Sequence, residues 1–408
     1  MFIAATKCAG RAAVGAPGRH PTCSVSARTR VGGCRPRRPR HLGSRAVTSS
    51  PAAPATTHRL WVGTYPVGGP GVAPGGGEGV WRVELEPATG ELRGHLAAAT
   101  PTPSFLALAP DGRTLYAAGE SDEGSLTAFA VGPDGSLTRR HAVSSDGGWP
   151  CHLLVDPAGR ALYATNYGTG SLVVVPLAAD GGFTDDVVAA GVPAQTFGHT
   201  GSGPREDRQE GPHAHSSVLV PGGLLLVADL GTDELRRFRV QPDGLLAEDG
   251  VAHRLPAGTG PRHVAVGAAG DVLYVVGELG ATLHVLAWDA ATGTARELQQ
   301  LPACAVPPVP GEAVYPAHVV LDGDRVLVSV RGADVLATFA VRPDGRLDHV
   351  ADVAVGGSWP RHFAVVDGWA VVAGQHGARV TALALDGARA GEVVASFDVP
   401  QPACVLPG

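Results

Sequence analysis

One unit recurs along this chain and leaves little freedom in the choice of fold. It opens with Pro and a short apolar strand, turns at a Gly-containing corner, and runs back as a second apolar strand. A polar residue, a small-residue turn and a third alternating strand follow. The copies are PSFLALAPDGRTLYAAGE from Pro103, PCHLLVDPAGRALYATNYGTGSLVVV from Pro150 and PHAHSSVLVPGGLLLVADLGTDELRRFRV from Pro212. Then come PRHVAVGAAGDVLYVVGELGATLHVLAW from Pro261, PAHVVLDGDRVLVSVRGADVLATFAV from Pro316 and PRHFAVVDGWAVVAGQHGARVTALAL from Pro360. Successive opening prolines are 47, 62, 49, 55 and 44 residues apart. A period of about 40–50 residues with several strands per repeat is the mark of propeller blades.

An earlier unit, RLWVGTYPVGG followed by GVWRVELEPATGEL, lacks the opening strand but has the later ones. Counting it predicts an all-β, seven-bladed propeller over residues 58–408, with mostly four-stranded antiparallel blades. The C-terminal VVASFDVPQPACVLPG is expected to return to the first blade and close the ring, which removes exposed sheet edges. Asp-Gly corners at Asp111-Gly112, Asp134-Gly135, Asp243-Gly244 and Asp344-Gly345 lie between apolar runs, as hairpin connections require. The 62-residue step carries its extra length at about 191–211, a polar, Gly-rich stretch expected to be a surface loop.

Composition agrees with many short strands and tight turns: 57 Gly, 34 Pro and 44% hydrophobic residues. Charge is uneven. Residues 1–57 hold ten basic side chains and no acid, leaving 22 basic against 38 acidic residues in the remainder. A body that acidic is a poor nucleic-acid binder. The Arg-rich first 57 residues are expected to be a disordered extension, either a start placed too far upstream or a transit-like segment. Met1 is the only Met, so an internal start would need another codon. Cys8, Cys23 and Cys34 lie in that extension. Cys151, Cys304 and Cys404 are scattered through the body, which is neither a disulfide framework nor a zinc spacing. The expectation is a cytoplasmic monomer with no cofactor, no nucleic-acid partner and no membrane association.

In a meander, the residue before the first strand and the residue after the second lie on one rim. Arg262 and Glu278 are such a pair, sixteen positions apart. The same reasoning brings Arg331, Arg361, Gln375, His213, His215, Tyr167 and Glu120 to one mouth of the central channel. A concave site with convergent polar groups is where a ligand is expected. His is read as recurring at one repeat position, as His152, His215, His263, His318 and His362. The blander readings are a structural ion pair for Arg262 and Glu278, and a structural hydrogen-bonding element for His152, His263, His318 and His362. His215 stands apart from these because His213 lies two residues earlier. His-Ala-His on a strand puts both rings on one face and could bind a divalent ion, but no third ligand is set by spacing.

These residues and their motifs resemble the lactonase family of seven-bladed propellers, over roughly residues 58 to 408. WVGTY, GPHAHSS at 211–217, VADLGTDEL at 227–235 and GPRHVAV at 260–266 with VGEL at 276–279 carry the resemblance. SVRGAD at 329–334, WPRHF at 359–363 and the closing PACVL complete it. The chain departs from related sequences at Gly277, where Asn often precedes the Glu, and at Gly374-Gln375-His376 in the last blade. The resemblance implies a catalytic set of His215, Arg262, Glu278 and Arg331. It also implies an anionic lactone substrate, with 6-phosphogluconolactone first and a carboxymuconate as the alternative. Arg361, His213, Tyr167 and Gln375 are expected to contact substrate.

No Gly-x-Ser-x-Gly elbow is present, so general acid/base catalysis is expected in place of a serine nucleophile. His215 or Glu278 would take a proton from water, Arg262 would stabilise the oxyanion, and Arg331 with Arg361 would grip the anionic group. No metal is needed in that scheme. The competing reading from another class is a non-catalytic propeller that serves as a binding scaffold.

Overall fold

The computed structural model describes residues 57–65 and 79–408, so the expected N-terminal extension lies outside the described residues apart from its last one. Seven antiparallel sheets of four strands each are arranged as blades. We number the blades in chain order by their opening prolines. Blade 1 contains His58–Thr64 and blade 2 opens at Pro103. Blades 3 to 7 follow, and blade 7 ends with Val393–Asp398.

The inner strands are Pro402–Pro407, Pro103–Leu108, Pro150–Val155, Ala214–Val220, Pro261–Val266, Tyr315–Asp322 and Pro360–Val366. Each packs against the next, and that of blade 7 packs against that of blade 1, so they circle a channel. The second strands Thr114–Gly119, Ala161–Asn166, Leu224–Asp229, Val272–Gly277 and Trp369–Gly374 are buried at every position. Neighbouring blades cover both of their faces, which is why they read as unbroken apolar runs. The outermost strands, such as Leu137–Ser144, are largely exposed.

The ring closes as the repeat implies, with one refinement. Of the returning segment, Val393–Asp398 remains the outer strand of blade 7. Only Pro402–Pro407 crosses to pair with His58–Thr64, from Leu60 opposite Pro407 to Thr64 opposite Pro402. It supplies the Pro-led inner strand that the first unit lacks. The Asp-Gly corners are built as their chemistry requires. Gly112 and Gly244 adopt φ of +71° and +88°, and the preceding Asp side chains accept the backbone N–H two residues on, at 2.9 Å in both turns.

The 191–211 stretch is more than a surface loop. The chain forms a short helix, Asp185–Ala190, then the outer strand Gln195–Phe197 of blade 3, and then folds back over the mouth. Gln209 is fully buried there, donating to Leu230 O at 2.8 Å and to Asp233 Oδ1 at 2.9 Å. Arg205 donates to Leu279 O at 2.7 Å. These bonds anchor polar chain that had no hydrophobic pattern to reveal its packing.

Candidate active site

A β-bulge at the start of the inner strands builds the mouth. In blades 2, 3, 4, 6 and 7 the ladder between inner and second strand skips one residue. In blade 5 it skips two, Arg262 and His263. An unpaired bulge residue is re-aimed out of the ladder. The first skipped position of each blade is Ser104, Cys151, His215, Arg262, Ala317 or Arg361, and the closing strand adds Ala403 at its register shift. All but Ala317 line a cavity of about 340 Å³.

This register corrects the sequence alignment at one point. His215 does not share the position of the other four histidines. Ala214, not Pro212, is the counterpart of the opening prolines, so His215 stands level with Cys151, Arg262 and Arg361. His152, His263, His318 and His362 form the layer below with Phe105. The His263 and His318 Nδ1 atoms are 2.7 Å apart, and the His318 and His362 rings stack at 3.8 Å. Burial, aided by Arg262, pushes His152 and His362 down to about 3 and the other two well below the usual imidazole range. This layer is therefore neutral, and it forms the floor of the site.

Residues at the ends of second strands complete the walls. Glu278 follows Val272–Gly277 and is the hub of one side. Arg208 donates to its Oε1 at 2.8 Å, while Arg262 Nε and Arg331 Nη2 stand 3.0 and 2.8 Å from Oε2. Only the Arg208 contact is aligned as a hydrogen bond. Arg262 Nε and Arg331 Nη2 are buried ion-pair partners of Glu278. Burial pushes the Glu278 carboxyl up, but the three guanidinium groups overcome it and hold it well below the usual carboxylate range. Burial, with Arg331 adding to it, lowers Arg262 to about 9, so it is still charged at neutral pH. Burial, with Arg262 adding to it, holds His215 well below the usual imidazole range.

Across the cavity the surroundings differ. Tyr65 Oη donates to Glu120 Oε1 at 2.6 Å, and the Arg361 guanidinium lies 4.7 Å from the centre of the Tyr65 ring. Burial raises the Glu120 carboxyl above its ordinary value, with Arg361 opposing. Arg361 Nε donates to Gln375 Oε1 at 2.5 Å. Trp149 and Trp359 stand at the rim with positive φ, +55° and +61°, and line the cavity with Tyr315. Trp149 lies parallel to Tyr167 and Trp359 to His376.

The structure thus brings together His215, Arg262, Glu278, Arg331, Arg361 and Tyr167 on one cavity. His213 and Gln375 stand behind that lining. His213 stacks on Tyr167 at 4.4 Å, and its two ring nitrogens face Tyr167 O at 2.8 Å and Glu210 Oε1 at 3.2 Å. Both nitrogens are engaged, so His213 and His215 do not present a ligand pair. Among the described residues no group of three or more His, Cys, Asp or Glu is arranged to hold a metal ion. Sequence reasoning missed Arg208 and Tyr65 as site residues. The surplus length of the 62-residue step was the available signal for Arg208. Tyr65 ends WVGTY at the rim position that Tyr167 and Glu120 hold in their blades.

The chain matches the family described as "Lactonase, 7-bladed beta-propeller" over residues 59–407. It is 32% identical to 6-phosphogluconolactonase of Bacillus subtilis over 354 residues, covering 85% of this chain and 97% of the relative. Among solved structures it is similar to the periplasmic gluconolactonase PpgL of Pseudomonas aeruginosa. The TM-score is 0.75 at 28% identity, over 86% of this chain and 99% of the other. It is also similar to a putative 6-phosphogluconolactonase of Bacteroides fragilis, with a TM-score of 0.74 at 25% identity, over 88% of this chain and all of the other. With the closed seven-blade ring and the Arg-lined mouth already in view, the chain belongs to the lactonase family of seven-bladed β-propellers.

Proposed function

We propose that this protein hydrolyses 6-phosphogluconolactone to 6-phosphogluconate, with His215 as the base and the Arg262–Glu278–Arg331 cluster as the electrostatic half of the site. The observation that carries this reading is the charge of the cavity. Four guanidinium groups, Arg208, Arg262, Arg331 and Arg361, face it against two carboxyl groups, Glu278 held in its ionised form and Glu120 raised by burial. That local excess of positive charge, in a chain with a net charge of −6, suits a small anion. The relatives named for 6-phosphogluconolactone and gluconolactone support a sugar lactone.

The surroundings of the two candidate bases favour His215. A carboxylate clasped by three guanidinium groups is a weak proton acceptor, so Glu278 serves as the counter-ion that orients them. Burial and Arg262 keep His215 neutral and also weaken it as a base, so its assignment rests on place: it lines the cavity with Arg262 and has no ion-pair partner among the described residues, whereas Glu278 is taken up by three arginines. Arg262 then stabilises the oxyanion formed at the carbonyl carbon. Loss of one such donor typically costs about 10²–10³ in turnover. Arg361, on the opposite wall, is left to hold the phosphate.

The test compares 6-phosphogluconolactone with unphosphorylated gluconolactone, in the wild type and in Arg361→Ala. The expected result is a preference for the phosphorylated lactone that falls about 10-fold or more in the variant, through KM. Equal rates on both lactones in the wild type would exclude the phosphate. A carboxymuconate turned over in preference to either would move the assignment to that substrate.

A further inference from the structure

Glu120 and Glu278 occupy the same position of the repeat. Each closes a second strand in nearly the same local sequence, LYAAGE at 115–120 and LYVVGE at 273–278. They stand in blades 2 and 5, on opposite walls of one cavity, and both are buried. Glu278 has three arginines. Among the described residues, none comes within ion-pair distance of Glu120. Its partner is a neutral donor, Tyr65, at 2.6 Å. The charged or titratable groups around it are Arg361, Arg262, Tyr65 and Cys151.

We infer that Glu120 is the general acid of the reaction, protonating the ring oxygen as the acyl C–O bond breaks, with Tyr65 as its positioning residue. This rests on the lactonase reading above. Opening a lactone expels an alkoxide, a poor leaving group unless a proton arrives as the bond breaks. An Arg-clasped carboxylate has no proton to give. Burial raises the Glu120 carboxyl and so favours its protonated form, against the opposing pull of Arg361 and of the Ser104 and Tyr65 hydroxyls. Tyr65 Oη donates to Oε1, which leaves Oε2 to carry the proton.

The step balances. Water adds its oxygen to the carbonyl carbon and gives one proton to His215. The tetrahedral intermediate collapses, the acyl C–O bond breaks, and the ring oxygen takes the Glu120 proton to become a hydroxyl. The new carboxylic acid is left beside a Glu120 carboxylate and a His215 imidazolium. Glu120 regains its proton, and the net release is one proton to solvent.

The order of groups around the mouth fits this chemistry. In a 6-phosphorylated δ-lactone the ring oxygen is bonded to the carbonyl carbon on one side. On the other it is bonded to the carbon that bears the phosphorylated arm. Arg361 lies over the ring of Tyr65, which holds Glu120, so a phosphate on Arg361 brings the ring oxygen toward Glu120. The carbonyl then faces the wall of His215 and Arg262.

The experiment uses the full chain, with Glu120→Gln and Tyr65→Phe beside the wild type, and two readouts. The first is lactone hydrolysis across pH. The wild type is expected to lose kcat as pH rises and Glu120 ionises. In Glu120→Gln, kcat should fall by about 10²–10⁴ with KM little changed, the Glu120 limb should be absent, and the alkaline loss that remains should be that of Arg262 at about 9. In Tyr65→Phe the limb should shift. The second readout needs no substrate: infrared titration should show a protonated carboxyl at neutral pH that is missing in Glu120→Gln. An ionised Glu120 at neutral pH, or an active wild type matched by Glu120→Gln with the same pH profile, would overturn the acid role alone. A wild type that accelerates no lactone, despite a protonated Glu120, would overturn the reading on which the role rests.

Discussion

Arg208 donates to Glu278 Oε1 at 2.8 Å across seventy residues of chain, and it is the only one of the three arginines around Glu278 to do so in hydrogen-bond alignment. It also approaches Tyr167 Oη at 3.3 Å. The loop between blades 3 and 4 therefore holds the orientation of a carboxylate made in blade 5. Replacing Arg208 by Ala removes a charged hydrogen bond worth about 1.5–3 kcal/mol. The expected result is a loss of about 10- to 100-fold in kcat/KM with the unfolding transition retained. Unchanged kinetics would show that the loop is not part of the site.

The histidine floor makes stability depend on pH. His152 and His362 stay neutral in the fold down to about 3, whereas an unfolded chain protonates them near the ordinary value of 6.5. Between those limits the unfolded state binds more protons. Stability is therefore complete above the unfolded value and erodes as pH falls, by up to about 1.4 kcal/mol per pH unit for each such histidine. Denaturant midpoints should drop between about pH 7 and about pH 5, and the slope should flatten in a His152→Gln, His362→Gln double variant. An unchanged slope in that variant would remove the floor as its source.

Ring closure rests on six residues. Without Pro402–Pro407, the strand His58–Thr64 loses its inner partner, and the fully buried Trp61 and Val62 lose their cover. An open apolar edge is an aggregation site. Deleting residues 402–408 is expected to abolish the cooperative thermal transition or to yield aggregates. A soluble monomer with the melting temperature of the full chain would contradict this closure.

Much of this architecture was legible in the repeat, for a physical reason. A meander of fixed strand length puts Arg262 and Glu278 on one rim whatever the rest of the chain does, and the structure brings them to 3.0 Å. The Asp-Gly corners carry their own turn chemistry. His215 was harder, because blade 4 starts its inner ladder at Ala214, two residues past its opening Pro. An alignment on Pro212 therefore puts His213 level with Cys151, Arg262 and Arg361, the place that His215 takes in the structure. Arg208 lies in a loop without periodicity. The Tyr65–Glu120 contact joins the ends of the second strands of two consecutive blades, and the pattern of a single repeat does not say which rim side chains of neighbouring blades will meet.

The proposed mechanism divides the labour of the site: His215 moves the proton and Glu278 holds the arginines. The most direct test measures turnover and unfolding together on His215→Ala and Glu278→Gln, with 6-phosphogluconolactone generated in situ and its loss followed above the spontaneous rate. His215→Ala is expected to lose about 10²–10⁴ in turnover with little loss of stability. Glu278→Gln leaves three guanidinium groups without their counter-charge and is expected to lose about 3–5 kcal/mol of stability as well as activity. Full turnover in His215→Ala, or a Glu278→Gln variant as stable as the wild type, would contradict this division of roles.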